Sequence, residues 1–180
     1  MSVTGESARR IQLNNPGIVM RSTSNNAAAV ILDGGYQTNE LITVSASDVT
    51  LAHFTVTRAI DHPIHMYPRA AGPDVTCDVV YGMRIIDGGE QFVKVNSNGA
   101  GNYVDRGRIG CSIFQLKNAG RPHIERASGG CYRGGIDCHS GRGWLVRRNL
   151  FEEIYCAGEG LAEHAVYFWS AHAIRPSRTM

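Results

Sequence analysis

The strongest constraint on this chain is a recurrence. Met66, Val95, Cys138 and Phe168 occupy equivalent places in a repeated strand–turn pattern and are separated by 29, 43 and 30 residues. Ser47-Asp48-Val49-Thr50 returns as Pro73-Asp74-Val75-Thr76, each followed by an apolar run about ten residues long. Both runs pass through an aspartate (Asp61, Asp87) into a second strand, Pro63-Ile64-His65-Met66 or Phe92-Val93-Lys94-Val95. Gly143-Trp144-Leu145-Val146 opens the same course, which ends at Ala165-Val166-Tyr167-Phe168. The longer middle interval is one repeat plus an insertion, assigned to Arg121–Arg133. Three short strands per period of about 30 residues cannot bury their apolar side chains alone. Stacked on their neighbours they bury them in one continuous column. The expectation is an all-β chain wound as a right-handed parallel β-helix of about five to six coils.

The rest of the chain fits this reading. Short runs rich in Val, Ile, Thr and Phe alternate with Gly, Asn and Asp, and few segments show helical periodicity. Asp33-Gly34-Gly35, Asp87-Gly88-Gly89 and Gly134-Gly135 are expected at corners, where positive φ is needed. One domain is expected over 1–180, with an irregular lead-in at 1–16 and an irregular tail at 171–180. Eighteen Lys and Arg against sixteen Asp and Glu give a net charge of +2, too balanced for a nucleic-acid surface. No signal peptide and no membrane-spanning run is visible. Five widely spaced cysteines form no disulfide framework and no CxxC pair. Cys138 falls at an inward strand position, and Cys131 and Cys156 flank one coil and could pair. P-loop, GxSxG and HExxH motifs are absent.

Three segments carry a family resemblance: Gly89–Asn96 (GEQFVKVN), Cys131–Asn149 (CYRGGIDCHSGRGWLVRRN) and Gly160–Ser170 (GLAEHAVYFWS). Together they resemble bacterial right-handed parallel β-helix repeat proteins of the pectin-lyase-like superfamily, in a subgroup without an assigned activity. The resemblance implies further coils after Trp169, whereas here the chain passes into a tail that is not strand-like, so a shortened β-helix is expected. An open β-helix end exposes unpaired backbone and the end of the apolar column. A homo-oligomer covering that end is therefore expected.

Strand alternation places candidate chemistry on one face. With Ile64, Val93, Ile136 and Val166 inward, His65, Lys94, Asp137 and Tyr167 form one outward row. Tyr67, Asn96, His139 and Trp169 form the next, with Glu90, Glu163, His164 and Arg147 at its corners. Aromatic rings stack on sugars, and cations neutralise uronate carboxylates. A polysaccharide lyase also needs a base for the proton α to that carboxylate. Lys94 is the first candidate base and His139 the alternative, with Asp137 completing the catalytic group. His65, Tyr67, Asn96, Arg147, Tyr167 and Trp169 are the candidate substrate contacts. Glu90 with Glu163 could hold Ca2+, and an acidic pair drawn from Glu90, Asp137 and Glu163 could serve hydrolysis instead. Ile136-Asp137-Cys138-His139 resembles the Trp-Ile-Asp-His run of pectate lyases, without the Trp and with Cys inserted. Two functions follow: a lyase-like protein acting on an acidic glycan, or a non-catalytic β-helix module binding glycan or protein, a truncated remnant of a longer chain.

Overall fold

The computed structural model describes residues 10–124, 132–156 and 162–169, with the side chains of residues 162 and 163 outside that description. Among these residues the chain makes eighteen strands and one 3-10 turn, at Arg121–His123. It runs in similar circuits. The first comprises β1 (Ile11–Leu13), β2 (Val19–Arg21) and β3 (Ile31–Asp33); the second comprises β4 (Glu40–Val44), β5 (Thr50–Ala52) and β6 (Thr55–Thr57). The third runs through β7 (His62–Met66), β8 (Val75–Thr76), β9 (Val79–Tyr81) and β10 (Arg84–Ile86). The fourth runs through β11 (Gln91–Val95), β12 (Val104–Asp105), β13 (Arg108–Gly110) and β14 (Ile113–Gln115). A fifth is formed by β15 (Tyr132–His139), β16 (Leu145–Arg147) and β17 (Leu150–Glu152), and β18 (Ala162–Trp169) follows it.

Strands at the same place in successive circuits pair in parallel. β1, β4, β7, β11, β15 and β18 form a six-stranded sheet in that order. β2, β5, β9, β13 and β16 form a second sheet, and β3, β6, β10, β14 and β17 a third. β8 and β12 add a two-stranded ladder. The fold is all-β, built from open, stacked parallel sheets, an arrangement consistent with a β-helix. The register is the one read from the repeat: Val95 pairs with both Met66 and Cys138, and Cys138 pairs with Phe168.

Inward side chains make columns. Ile42, Ile64, Val93 and Ile136 are fully buried in one row of the six-stranded sheet. Leu51, Val80 and Ile109 do the same in the second sheet, and Val56, Ile85 and Phe114 in the third. Phe151 continues the last column, its ring stacked on Phe114 at 4.7 Å between centroids. Each such residue contributes about 2 kcal/mol by leaving water, so the core is a sum of many ladder steps.

Asp33-Gly34-Gly35 and Asp87-Gly88-Gly89 are corners as expected, with Gly35 and Asp87 left-handed, but other corners differ. The apolar stretches at 49–57, 75–86, 109–116 and 144–154 are broken into shorter strands by single left-handed residues. His53, Gly82, Cys111 and Arg148 turn the chain between the second and third sheets, each with φ between 53° and 60°. Gly17, Asp48, Cys77, Arg106 and Gly143 do so before the second sheet. These columns bond from circuit to circuit, as where the Cys77 N–H reaches the Asp105 carbonyl at 3.0 Å. Ladder bonding on both sides holds residues such as Arg and Cys in a region that costs them about 1–2 kcal/mol each.

Gly134 and Gly135 are not a corner: both lie inside β15. A Cβ on Gly134 would come within 2.3 Å of the His164 ring, and one on Gly135 within 2.5 Å of the Phe151 ring and the Ala165 carbonyl. Glycine is required there for close approach. Cys138 is a free, fully buried core thiol whose pKa burial pushes up to about 12. Cys156 is disulfide-bonded, and Cys131, its expected partner, lies outside the described residues, as do the 1–9 part of the lead-in and the whole 171–180 tail. Among the described residues no helix is long and apolar enough to cross a membrane.

Candidate functional site

The outer face of the six-stranded sheet carries both expected rows. Parallel register sets His65 beside Lys94, Lys94 beside Asp137, and Asp137 beside Tyr167. His139 faces Trp169 in the neighbouring row. Tyr67 and Asn96 sit just beyond the ends of β7 and β11, in the line of that row.

Three of these residues converge. The Lys94 ammonium donates to Asp137 Oδ2 at 2.6 Å, to His139 Nε2 at 3.0 Å and to the Tyr132 hydroxyl at 3.3 Å. All three N–H bonds of the ammonium are thereby used. Asp137, 1% exposed, also accepts the Trp169 indole N–H at 3.0 Å on Oδ1 and the Tyr132 hydroxyl at 3.3 Å on Oδ2. Burial pushes the Asp137 carboxyl up, but the Lys94 ammonium, His139 and the Trp169 N–H outweigh it, leaving the group below the usual carboxylate range. The pair is ionic, buried and fully hydrogen-bonded, the condition under which a buried charge is tolerated.

His139 is half-buried. Burial and the adjacent Lys94 charge lower its pKa against the opposing pull of Asp137, so the ring is neutral at neutral pH. His139 Nε2 lies 3.0 Å from the Lys94 ammonium and 3.2 Å from Asp137 Oδ1, so either tautomer of the ring finds a partner there. Its ring meets Trp169 edge-on at 3.9 Å. Trp169 is 47% exposed although its N–H is anchored, and Tyr167 beside it is 46% exposed with the ring centroids 5.7 Å apart. Two aromatic faces therefore stand in solvent on a fixed polar base.

A second group lies further along the sheet. Glu40 holds the His65 ring at Nδ1 and is itself bonded by Arg10 at 2.8 Å. Those partners, His65 first, hold Glu40 below its ordinary pKa against burial. His62 packs against His65, with its Nδ1 3.2 Å from the Gln91 carbonyl and its Nε2 3.7 Å from Glu90. Burial and the neighbouring His65 and Lys94 charges drive its pKa down to about 3. His65 leans on Tyr67 at 4.7 Å. Buried Asn96 Oδ1 and His65 Nε2 have no hydrogen-bond partner.

Other expected members stand apart. Arg147 is exposed on β16 in the second sheet, in register with Gly110, and so does not reach the group. Glu163 is in register with Arg133, so another strand separates it from Glu90, which meets His62 instead. Its side chain lies outside the described residues. Among the described residues no three His, Cys, Asp or Glu side chains come together in a way that could hold a metal ion.

Tyr132, Glu40 and His62 were not among the expected site residues. Tyr132 was hidden because Gly134-Gly135 read as a corner, which ended the strand too early. Glu40 was recoverable: carrying the register one circuit back puts Glu40–Val44 beside His62–Met66. Comparison with protein-family models, with curated proteins and with solved structures found no match. The functional argument therefore rests on the chain's own geometry.

Proposed function

We propose that the chain is a right-handed parallel β-helix of the pectin-lyase-like kind that binds an acidic glycan on the outer face of its six-stranded sheet without cleaving it. Sequential parallel pairing of every strand with its counterpart one circuit away supports the fold. One observation carries the function: Trp169 is half exposed while its indole N–H is fixed to buried Asp137, itself held by Lys94. An aromatic ring presented to solvent and locked by a buried ion pair is pre-organised to stack on a sugar at little entropic cost. Tyr167 extends the platform, and the His139 ring backs Trp169 edge-on.

The same geometry argues against Lys94 as the base of a β-elimination at this face. Lys94 has spent all three N–H bonds, on Asp137, His139 Nε2 and the Tyr132 hydroxyl. An ammonium paired with a buried carboxylate has no free electron pair for a substrate proton, so Lys94 acts as a positioning residue.

The partner in assembly is a second copy of the chain. Val166 and Phe168 are exposed at 37% and 44%, although they are in register with fully buried Ile136 and Cys138. Among the described residues β18 pairs on one side only, with β15.

The test is affinity electrophoresis across neutral and acidic polysaccharides, with wild type, Trp169→Ala and Tyr167→Ala, alongside an absorbance assay for unsaturated uronate. Retardation by an acidic glycan that both variants lose, with flat absorbance, is the expected result. Equal migration of all three proteins would remove the binding reading, and unsaturated product would restore the lyase.

A further inference from the structure

We propose a second, independent site on the outer face of the third sheet, which takes a small oxyanion such as a carboxylate or phosphate. A cavity of about 140 Å³ lies there, floored by Ile31, Thr57, Arg84 and Ile86 and walled by Lys117 and Asp87. The register explains the floor: Arg84 is paired between Thr55 and Ile113, and Ile86 between Thr57 and Gln115. The segment at Ala27 crosses this face at one side, accepting the Thr55 hydroxyl at 2.7 Å. The Lys117 segment leaves it at the other.

Arg84 is the observation that points to a ligand. Its Nε–H is buried without a hydrogen-bond partner. Arg58, Arg121 and Arg142 each meet a carboxylate, and Arg133 donates to the Gly88 and Gly89 carbonyls. What sets Arg84 apart is that it lines a cavity open to a ligand. An unsatisfied buried donor is costly, and more so on a charged group. A bound oxyanion would relieve that cost through the planar fork of a guanidinium, which matches two oxygens at once.

The electrostatics agree. Arg84 and Lys117 supply two positive charges to the cavity, against one carboxyl at Asp87. Asp87 is turned into its own corner, where Oδ1 accepts the Lys117 backbone N–H at 2.6 Å and lies so close to Gly120 that a Cβ there would be 2.5 Å away. Its Oδ1 is thereby engaged inside the fold. The Ile31 and Ile86 side chains give the cavity apolar flanks, which suit the C–H faces of a small acidic sugar as well as a free anion.

The measurement is isothermal titration calorimetry of the whole chain with sodium phosphate and, separately, sodium galacturonate, at ionic strength held constant with sodium chloride. Wild type is expected to give a saturable isotherm with at least one of the two. Arg84→Met removes the fork and is expected to abolish it. Lys117→Met is expected to weaken binding about tenfold, the loss of one charge-assisted contact. Heat with galacturonate alone assigns the sugar carboxylate, and heat with phosphate alone assigns a free oxyanion. No saturable heat from either ligand in wild type would overturn the site. Unchanged binding in both variants would overturn it as well. Should Arg84→Met fail to fold, Lys117→Met decides, since Lys117 is exposed and its replacement leaves the ladder intact.

Discussion

Asp78 makes the stability of this fold pH-dependent in an unusual direction. It follows the left-handed Cys77 and is 1% exposed. Oδ1 accepts the Val49 N–H at 2.9 Å, while Oδ2 has no partner. Burial, opposed by the Val49 bond and reinforced by Asp48, raises its pKa from 3.8 to about 7. Between these values the folded chain keeps a proton that the unfolded chain releases, so stability is lost as pH rises through the folded pKa. A gap of about three pH units corresponds to roughly 4 kcal/mol, lost in full above pH 7. Asp78→Asn keeps the acceptor for Val49 and removes the charge, at the cost of an amide N–H2 without a partner, about 1–3 kcal/mol.

The expected outcome is a pH-dependent difference between the two proteins, measured by urea unfolding from pH 4.5 to 8. His62 titrates across part of this window with the opposite sign. Its depressed pKa costs stability as pH falls below about 6.5. Because His62 is present in both proteins, the difference between them isolates Asp78. The stability of Asp78→Asn relative to wild type should rise by at least about 2 kcal/mol between pH 4.5 and 8. Parallel stability curves would refute the reasoning, since they would mean that Asp78 titrates as it does in the unfolded chain.

The other expectations concern packing, corners and assembly. Gly89→Ala would put a Cβ 1.6 Å from the Ile60 carbonyl oxygen, and is expected to lose at least about 3 kcal/mol or fail to fold, read by urea midpoint. Arg148, exposed at φ 56°, should tolerate Gly with a gain of up to about 1 kcal/mol, whereas Arg148→Val should lose more than that. Ile64→Ala, in the centre of the column, should cost about 2–5 kcal/mol by the same assay. Phe168→Ser should shift the chain from dimer toward monomer in light scattering after size exclusion, with its circular dichroism unchanged.

Strand positions were legible because stacking repeats the same demand every circuit. The inward row Ile64, Val93, Ile136 and the outward row His65, Lys94, Asp137 follow from alternation once Met66, Val95 and Cys138 are aligned. Corner chemistry was less legible. A ladder bonded on both sides can hold His53, Arg58 or Cys77 in the left-handed region, so corners also fall at residues other than Gly and Asn. Glycine marked corners at Gly34-Gly35 and Gly88-Gly89 but close approach at Gly134 and Gly135. The site was legible as a set of neighbours but not as a bonding pattern. Alternation puts Lys94 and Asp137 on an outer face, but it cannot show that Tyr132, His139 and Trp169 close over them and bury the pair. Arg84 left no signal in the sequence, since only the structure shows which of many arginines lacks a partner.

The most direct test of the proposed glycan-binding face is a calorimetric titration of wild type and Trp169→Ala with oligogalacturonate, with absorbance for unsaturated uronate read on the same samples. A saturable heat in wild type, absent from the variant, together with flat absorbance in both, is the predicted result. Equal heats in the two proteins, or a rising absorbance in wild type, would contradict a binding face built on Trp169 and its Asp137–Lys94 support.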